Sequence, residues 1–357
     1  VIKYLGSKRT LVPRIVALAA AVREATGAQT VADLFTGTTR VAQGLKGAGF
    51  AVIANDLASY SEVLARCYIA ADRDALDIAA IEAKLAHLNA LDGVDGYFTR
   101  TFCEESRFLQ PVNGRRVDAI RPEIDRIAEG PEEHAILLTA LMLAADRVDS
   151  TTGVQMAYLK QWSPRSRNAL QLRLPELLAG TGVASCADAN AFAATMAPVD
   201  LAYLDPPYNQ HSYYSNYHMW ETLVRGDTPT AYGVARKRED CRTVKSDYNV
   251  AAKAWPAFEA LVRSVRARHL LVSFNDEGYF GRDAIVSLLE TVGGEAVALP
   301  VAFKRYVGAK IGIHNPRGER VGRVSHITNH EFLFLAGPDA QAIAHAAGRS
   351  TAFAESS

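Results

Sequence analysis

Apolar residues along this chain fall into two patterns. Short continuous runs rich in Val, Ile and Leu, each ending in an acidic or polar residue, occupy Val31 to Phe35, Ala51 to Asp56, Val183 to Asp188, Val199 to Asp205 and His269 to Asn275. Continuity rather than alternation predicts strands buried on both faces, as in a parallel sheet. Between the first two runs, Thr39 to Ala48 has helical spacing and is closed by Gly49, so this part reads as a β-α-β unit. Glu295 to Tyr306 and Glu331 to Ala336 alternate instead, which predicts an antiparallel hairpin closing the sheet. The expected class is therefore α/β, with an open doubly wound sheet.

From about Ile69 to Gly182 the pattern changes. Ile78 to Leu91 and Glu132 to Asp146 carry apolar residues at helical spacing, and no strand-like run of comparable quality interrupts them. This segment is expected to be a mostly helical insert. Gln210 to Ala254, rich in Tyr, Arg, Lys and Asp, is a second irregular stretch after the fourth strand, a usual place for recognition surfaces. The expected organisation is a catalytic domain from 1–68 and 183–340, an insert at 69–182 and a frayed tail at 341–357.

Composition narrows the class without deciding it. The 357 residues include 39 Lys plus Arg and 39 Asp plus Glu, so the global field neither attracts nor repels polyanions, and a charged partner needs a local patch. Cys67, Cys103, Cys186 and Cys241 show no metal-ligand spacing; they read as reduced, mostly buried thiols, and no metal site is expected. The strongest apolar stretch, Ala135 to Ala145, is too short to span a bilayer. No secretory signal opens the sequence, so a cytoplasmic protein without a membrane partner is expected.

The sharpest chemical feature is Asp205-Pro206-Pro207-Tyr208, directly after an apolar strand. Two prolines fix the backbone and remove two amide donors. An acceptor-rich corner remains, made of the Asp205 carboxylate, the Pro206 carbonyl and the Tyr208 ring. A planar base with an exocyclic amino group suits it, since two N–H bonds find two acceptors and the base finds a stacking face. A strand-ending turn is the plainer account. The Asp33 to Val41 turn contains Gly37, where a ligand can approach the backbone, although turn geometry alone also asks for glycine; it lacks the G-x-G-x-x-G spacing of a pyrophosphate site. Asp56, at a strand end, suits two ribose hydroxyls and equally suits water.

Lys3-Tyr4-Leu5-Gly6-Ser7-Lys8, Phe35-x-Gly37, Asn55-Asp56 and Asp205-Pro206-Pro207-Tyr208, in that order, resemble the Dam-like alpha group of DNA adenine-N6 methyltransferases. The resemblance runs from residue 3 to about 336. Phe35 to Val41, Gln155 to Tyr158 and Asn209 to Trp220 look closer to the branch found in type IIS restriction systems, that of the FokI methylase. It implies a Rossmann-like S-adenosylmethionine-dependent methyltransferase sheet with a helical recognition insert. It also implies that Tyr4 and Lys8 touch the cofactor, Phe35 and Gly37 line its methionine side, Asp56 holds the ribose and Asp188 lies beside the cofactor adenine. Asp205, adjoining the cofactor, would act with Pro206, Pro207 and Tyr208 to hold a flipped-out adenine. Thr39 departs from the pattern, because many relatives have a second glycine there.

Two one-sided basic runs supply the local patch. Lys304, Arg305, Lys310, Arg317, Arg320 and Arg323 face a single Glu319, while Lys160, Arg165, Arg167 and Arg173 face no acid. Solvated faces explain many such runs, but two of them in a neutral protein fit phosphate contacts. Base reading is expected from Gln155 to Asn168, with a share from Arg236 to Lys245. Tyr213, Tyr214, Tyr217, His218 and Trp220 either flank the flipped base or cover the sheet, with a structural role favoured for His218. The expected partners are double-stranded DNA and a cognate restriction endonuclease. Rival readings are RNA adenine methylation, protein glutamine methylation, a catalytically silent nucleic-acid-binding module and, more distantly, a nicotinamide dehydrogenase.

Overall fold

A computed structural model describes residues 2–6, 8–156, 158–275, 278–304, 313–314, 320–322 and 328–349, side chains between 302 and 330 excepted. Seven strands, β1 (Thr30–Asp33), β2 (Ala51–Asp56), β3 (Gly182–Cys186), β4 (Val199–Leu204), β5 (Ala267–Asn275), β6 (Ala296–Lys304) and β7 (Thr328–Ala336), form one sheet in the order β3-β2-β1-β4-β5-β7-β6. β2 runs parallel to β1 and β3, and β4 runs parallel to β5. β7 is antiparallel to both β5 and β6, so the predicted hairpin is present and the α/β class holds. Three strands end earlier than expected. Phe35 has entered a turn, Asp188 lies two residues beyond β3, and Asp205 precedes a proline that cannot donate to a ladder.

The chain divides into two compact units whose bounds differ from the expected domains. The first comprises Val1–Val12, Gln29–Thr195 and His211–Ser246. Its interior is built on the helix Pro131–Arg147, in which every residue from Ala135 to Asp146 is buried. That is why the strongest apolar run of the sequence lies here: a helix apolar all round must be enclosed. The helices Ile78–Ala90 and Pro111–Ile127 pack against it. The Lys46 ammonium is buried and donates to the carbonyls of Tyr68, Ile69 and Ala71 at 3.2, 2.9 and 2.7 Å. It thereby satisfies the carboxyl end of the π-helical turn Arg66–Ala70.

The second unit comprises Pro13–Ala28, Met196–Gln210 and Asp247–Ser357. The helices Arg282–Gly293 and Ala340–Gly348 pack on its strands. Phe274 of β5 stacks on Phe280 at 4.8 Å, and Phe280 stacks on Phe258 at 5.7 Å. Full burial of one such ring contributes roughly 1.5–3 kcal/mol.

The four cysteines are unpaired; Cys67, Cys103 and Cys241 are buried, whereas Cys186 at the end of β3 is exposed. Among the described residues no His, Cys, Asp and Glu cluster suits a metal ion, and no helix is long and apolar enough to cross a membrane.

Candidate active site

In the first unit, the turn after β1 is shaped by two left-handed residues. Gly37 has φ 51°, and its N–H donates to Asp56 Oδ2 at 2.8 Å. Thr39, at the amino end of the helix Arg40–Gly47, has φ 62° and ψ 16°, a conformation that strains a β-branched residue. Its hydroxyl donates to the Thr38 carbonyl and accepts from Gln43 Nε2, both at 2.7 Å. The position where the family pattern favours glycine is therefore one where the backbone favours it too.

Asp56 ends β2 with one amide on each carboxylate oxygen, Gly37 on Oδ2 and Ala58 on Oδ1 at 3.1 Å. Burial pushes its carboxyl above the usual range, and these amides oppose that. A carboxylate fixed in this way keeps a further lone pair on each oxygen, which suits a pair of vicinal hydroxyls. Asn55 donates from Nδ2 to Leu34 O at 3.4 Å and Ala187 O at 3.0 Å, tying the loops after β1 and β3 to β2. The Thr36 hydroxyl, in the same turn as Gly37, is buried without a hydrogen-bond partner among the described residues.

Tyr4 lies beside this turn, since a Cβ on Gly37 would be 3.4 Å from its ring. The Tyr4 ring stacks on Tyr217 at 4.5 Å and on Tyr213 at 5.3 Å, and its hydroxyl is 3.3 Å from that of Tyr60. Tyr4, Gly37 and Asp56 thus converge, with partly exposed Phe35 next along the turn. Lys8 is buried, and its carbonyl accepts the Leu11 and Val12 amides that open the first helix. Asp188 is exposed and caps the helix Ala189–Thr195, accepting from Asn190 N and Ala191 N at 3.0 and 3.1 Å.

In the second unit, Asp205 to Tyr208 leaves the carboxyl end of β4 with Pro206 buried and Asp205, Pro207 and Tyr208 partly exposed. Tyr208 meets Phe274 edge to face at 6.0 Å. Asn249 Nδ2 donates to the Asn209 carbonyl at 2.8 Å, fixing the chain just past the corner.

Several residues expected to face DNA are occupied elsewhere. Gln155 is buried, and its Oε1 accepts from Met219 N at 2.7 Å and Trp220 N at 3.3 Å, capping the helix His218–Arg225. It does not reach outward as a base reader would. The Arg165 guanidinium is paired with Asp149. Arg238, within the stretch expected to share base reading, is buried between Asp227 and Asp240. Tyr214, Tyr217, His218 and Trp220 are buried, so of the five residues expected to flank the base or cover the sheet Tyr213 alone keeps partial exposure. Burial lowers the His218 imidazole to about 4, and it shares a hydrogen bond with the Gln155 carbonyl at 2.8 Å. Lys160 and Arg167 are exposed and make no ion pair among the described residues. Arg305 and Lys310 lie outside the described residues, as does the side chain of Lys304, which ends β6.

Sequence reasoning missed Asp149, a buried carboxylate with two cationic partners, Lys3 and Arg165. The available signal was a pair of acids just after a long apolar run, Asp146 in the last turn of the helix Pro131–Arg147 and Asp149 two residues past its end.

A mixed sheet with an antiparallel β7, an anchored acid at the end of β2 and an acid-proline-proline-tyrosine corner after β4 define an α/β methyltransferase. The model of the D12 class N6 adenine-specific DNA methyltransferases matches residues 4–277, and the chain belongs to that family. It is 30% identical to the modification methylase StsI of Streptococcus sanguinis over 85% of its own length and 48% of that protein. It is 29% identical to the type II methyltransferase M.NlaIII of Neisseria lactamica over 84% of its length and 90% of that protein. With M.FokI of Planomicrobium okeanokoites it shares 28% identity over 86% and 48% of the two lengths. The chain thus spans about half the length of StsI and M.FokI but most of M.NlaIII.

Proposed function

We propose that this chain methylates the exocyclic N6 of adenine at specific sites in double-stranded DNA, as the modification half of a restriction-modification pair acting in the cytoplasm. The observation that carries this reading is Asp205-Pro206-Pro207-Tyr208 at the carboxyl end of β4, inside the matched region. S-adenosylmethionine, when bound, supplies an electrophilic sulfonium methyl. The first unit suits it in chemistry: Asp56 offers rigid acceptors for ribose hydroxyls, the buried Thr36 hydroxyl lacks a partner among the described residues, and Gly37 leaves the turn open beside Tyr4. Phe35 and Asp188 border the same strand ends, and Lys8 anchors the Tyr4 segment.

Asp205 and the Pro206 carbonyl would accept the two N–H bonds of the adenine amino group. Acceptance favours a pyramidal nitrogen whose lone pair is no longer spread into the ring. As the new N–C bond formed, the methyl's bond to sulfur would break and leave a neutral thioether, while the nitrogen would shed a proton for which the Asp205 carboxylate is a candidate acceptor. Tyr208 would stack on the base, offsetting part of the few kcal/mol that flipping costs. Pro207 keeps the corner rigid. Lys160 and Arg167, with Lys304, Arg305 and Lys310 in the second basic run, would hold phosphates.

The test is methyl transfer from radiolabelled S-adenosylmethionine to plasmid DNA, with modified adenines located by single-molecule sequencing. Wild type should label adenines in one sequence context. Asp205→Ala should incorporate nothing while its circular dichroism is unchanged; retained turnover in that variant would overturn the assignment.

A further inference from the structure

The Lys3 to Leu5 segment carries Tyr4 to the Gly37 turn, yet its own anchors lie in the segment that follows the helix Pro131–Arg147. Lys3 Nζ donates to Asp149 Oδ1 at 2.6 Å and to the Asp146 carbonyl at 2.9 Å. The Lys3 N–H faces both Asp146 carboxylate oxygens at 3.4 Å. The same Asp149 Oδ1 receives the Arg165 guanidinium, whose Nε also donates to the Asp149 carbonyl at 2.8 Å. Asp149 Oδ2 accepts from the Thr151 hydroxyl at 2.6 Å. Thr151 opens a short hairpin that closes by an antiparallel bridge to Tyr158. One buried carboxylate therefore holds the cofactor-side amino segment with one hand and the Thr151 to Arg165 segment with the other.

A second link runs in parallel. Leu5 N donates to the Tyr217 hydroxyl at 2.7 Å, and that hydroxyl donates to the Gly153 carbonyl at 3.4 Å. Tyr217 is also the ring on which Tyr4 stacks. Displacement of the hairpin thus strains Tyr4 through both links, and the reverse holds as well. Were Arg165 simply a phosphate ligand, it would not need three contacts within its own fold, to Asp149 Oδ1, Asp149 O and Thr151 O.

We propose that Asp149 is a positioning residue that couples the cofactor site to the DNA-recognition segment, so that S-adenosylmethionine and DNA bind cooperatively. The inference rests on the methyltransferase reading above. Coupling of this kind is reciprocal and commonly amounts to about 5- to 150-fold in affinity.

Calorimetric titration of the full chain with sinefungin, an unreactive cofactor analogue, with and without saturating unmethylated plasmid DNA, measures the coupling factor. In wild type, DNA should tighten sinefungin binding at least about fivefold. Asp149→Asn should bring that factor close to one. Lys3→Gln and Arg165→Gln each cut one arm at a partly exposed position, so they test the same link if Asp149→Asn fails to fold. Arg165→Lys, which keeps the charge, should restore most of the factor, whereas a purely structural role would change melting temperature and leave the factor intact. A wild type that binds sinefungin with the same affinity in DNA overturns the coupling alone, as do Lys3→Gln and Arg165→Gln variants with an undiminished factor. A wild type that neither binds sinefungin nor methylates DNA overturns the methyltransferase reading and the coupling with it.

Discussion

Thr39 and Asp146 show how single positions carry strain in this fold. At φ 62° a Cβ is unwelcome, and the left-handed conformation costs about 1–2 kcal/mol in a residue other than glycine. Thr39→Gly and Thr39→Ala both lose the hydrogen bond from Gln43, so their difference isolates the backbone. The glycine variant should be the more stable by about 1 kcal/mol, the reverse of the usual helix preference; urea unfolding of the pair checks the sign. Asp146 is raised to about 6, first by burial and further by Asp149, with Lys3 opposing. A carboxyl raised from 3.8 stabilises the fold most fully below that value, and the contribution fades as pH rises through 6. Asp146→Asn, which does not titrate, should gain on wild type by up to about 3 kcal/mol between pH 4 and 7 in urea unfolding at stepped pH. A pH-independent difference would contradict that burial. The motif residues were legible one by one because their types are chemically demanding. The partners of Lys3 were not, since 143 and 146 residues separate it from Asp146 and Asp149.

At the scale of elements, the helix His218–Arg225 is held by side chains from far along the chain. Gln155 caps its start, and Arg121 takes the Leu223 and Val224 carbonyls near its end at 2.7 and 2.9 Å. Its own Glu221, fully buried, accepts from Ser59 N at 3.3 Å and Tyr60 N at 3.2 Å, and so caps the helix Ser59–Ala65 that follows Asp56. Loss of a cap costs about 0.5–2 kcal/mol. Gln155→Leu should cost that much, with faster hydrogen exchange at the Met219 and Trp220 amides as its local signature. Strand and helix positions could be read from periodicity, and β2 matches its expected span residue for residue. The role of Gln155 could not. A glutamine in a polar loop has the same sequence signature whether it meets a base edge or a helix terminus; only the fold, by leaving two amides in need of an acceptor, decides.

For the whole molecule, zero net charge conceals how many basic groups are already neutralised within the fold. Arg165, Arg225 and Arg238 all face carboxylates, whereas Lys160 and Arg167, in the stretch proposed to meet DNA, are exposed and make no ion pair among the described residues. Lys160→Gln together with Arg167→Gln should reduce the log–log salt slope of DNA binding by about two, roughly one per lost phosphate contact, whereas Arg165→Gln should change it little. Fluorescence anisotropy over a salt series separates the two outcomes. The interleaving of the two units has a further consequence, for synthesis. Three separate stretches build the first unit, the last ending at Ser246, and residues 13–28 of the second unit are made long before their strands at 267–336. A nascent chain leaving the ribosome must therefore carry residues 13–28 before most of the unit to which they belong has been made. Neither unit can be cut out as a contiguous fragment and expressed alone. Holdase chaperones that shield residues 13–28 should raise the soluble yield, and truncations ending before Ser246 should accumulate as aggregates.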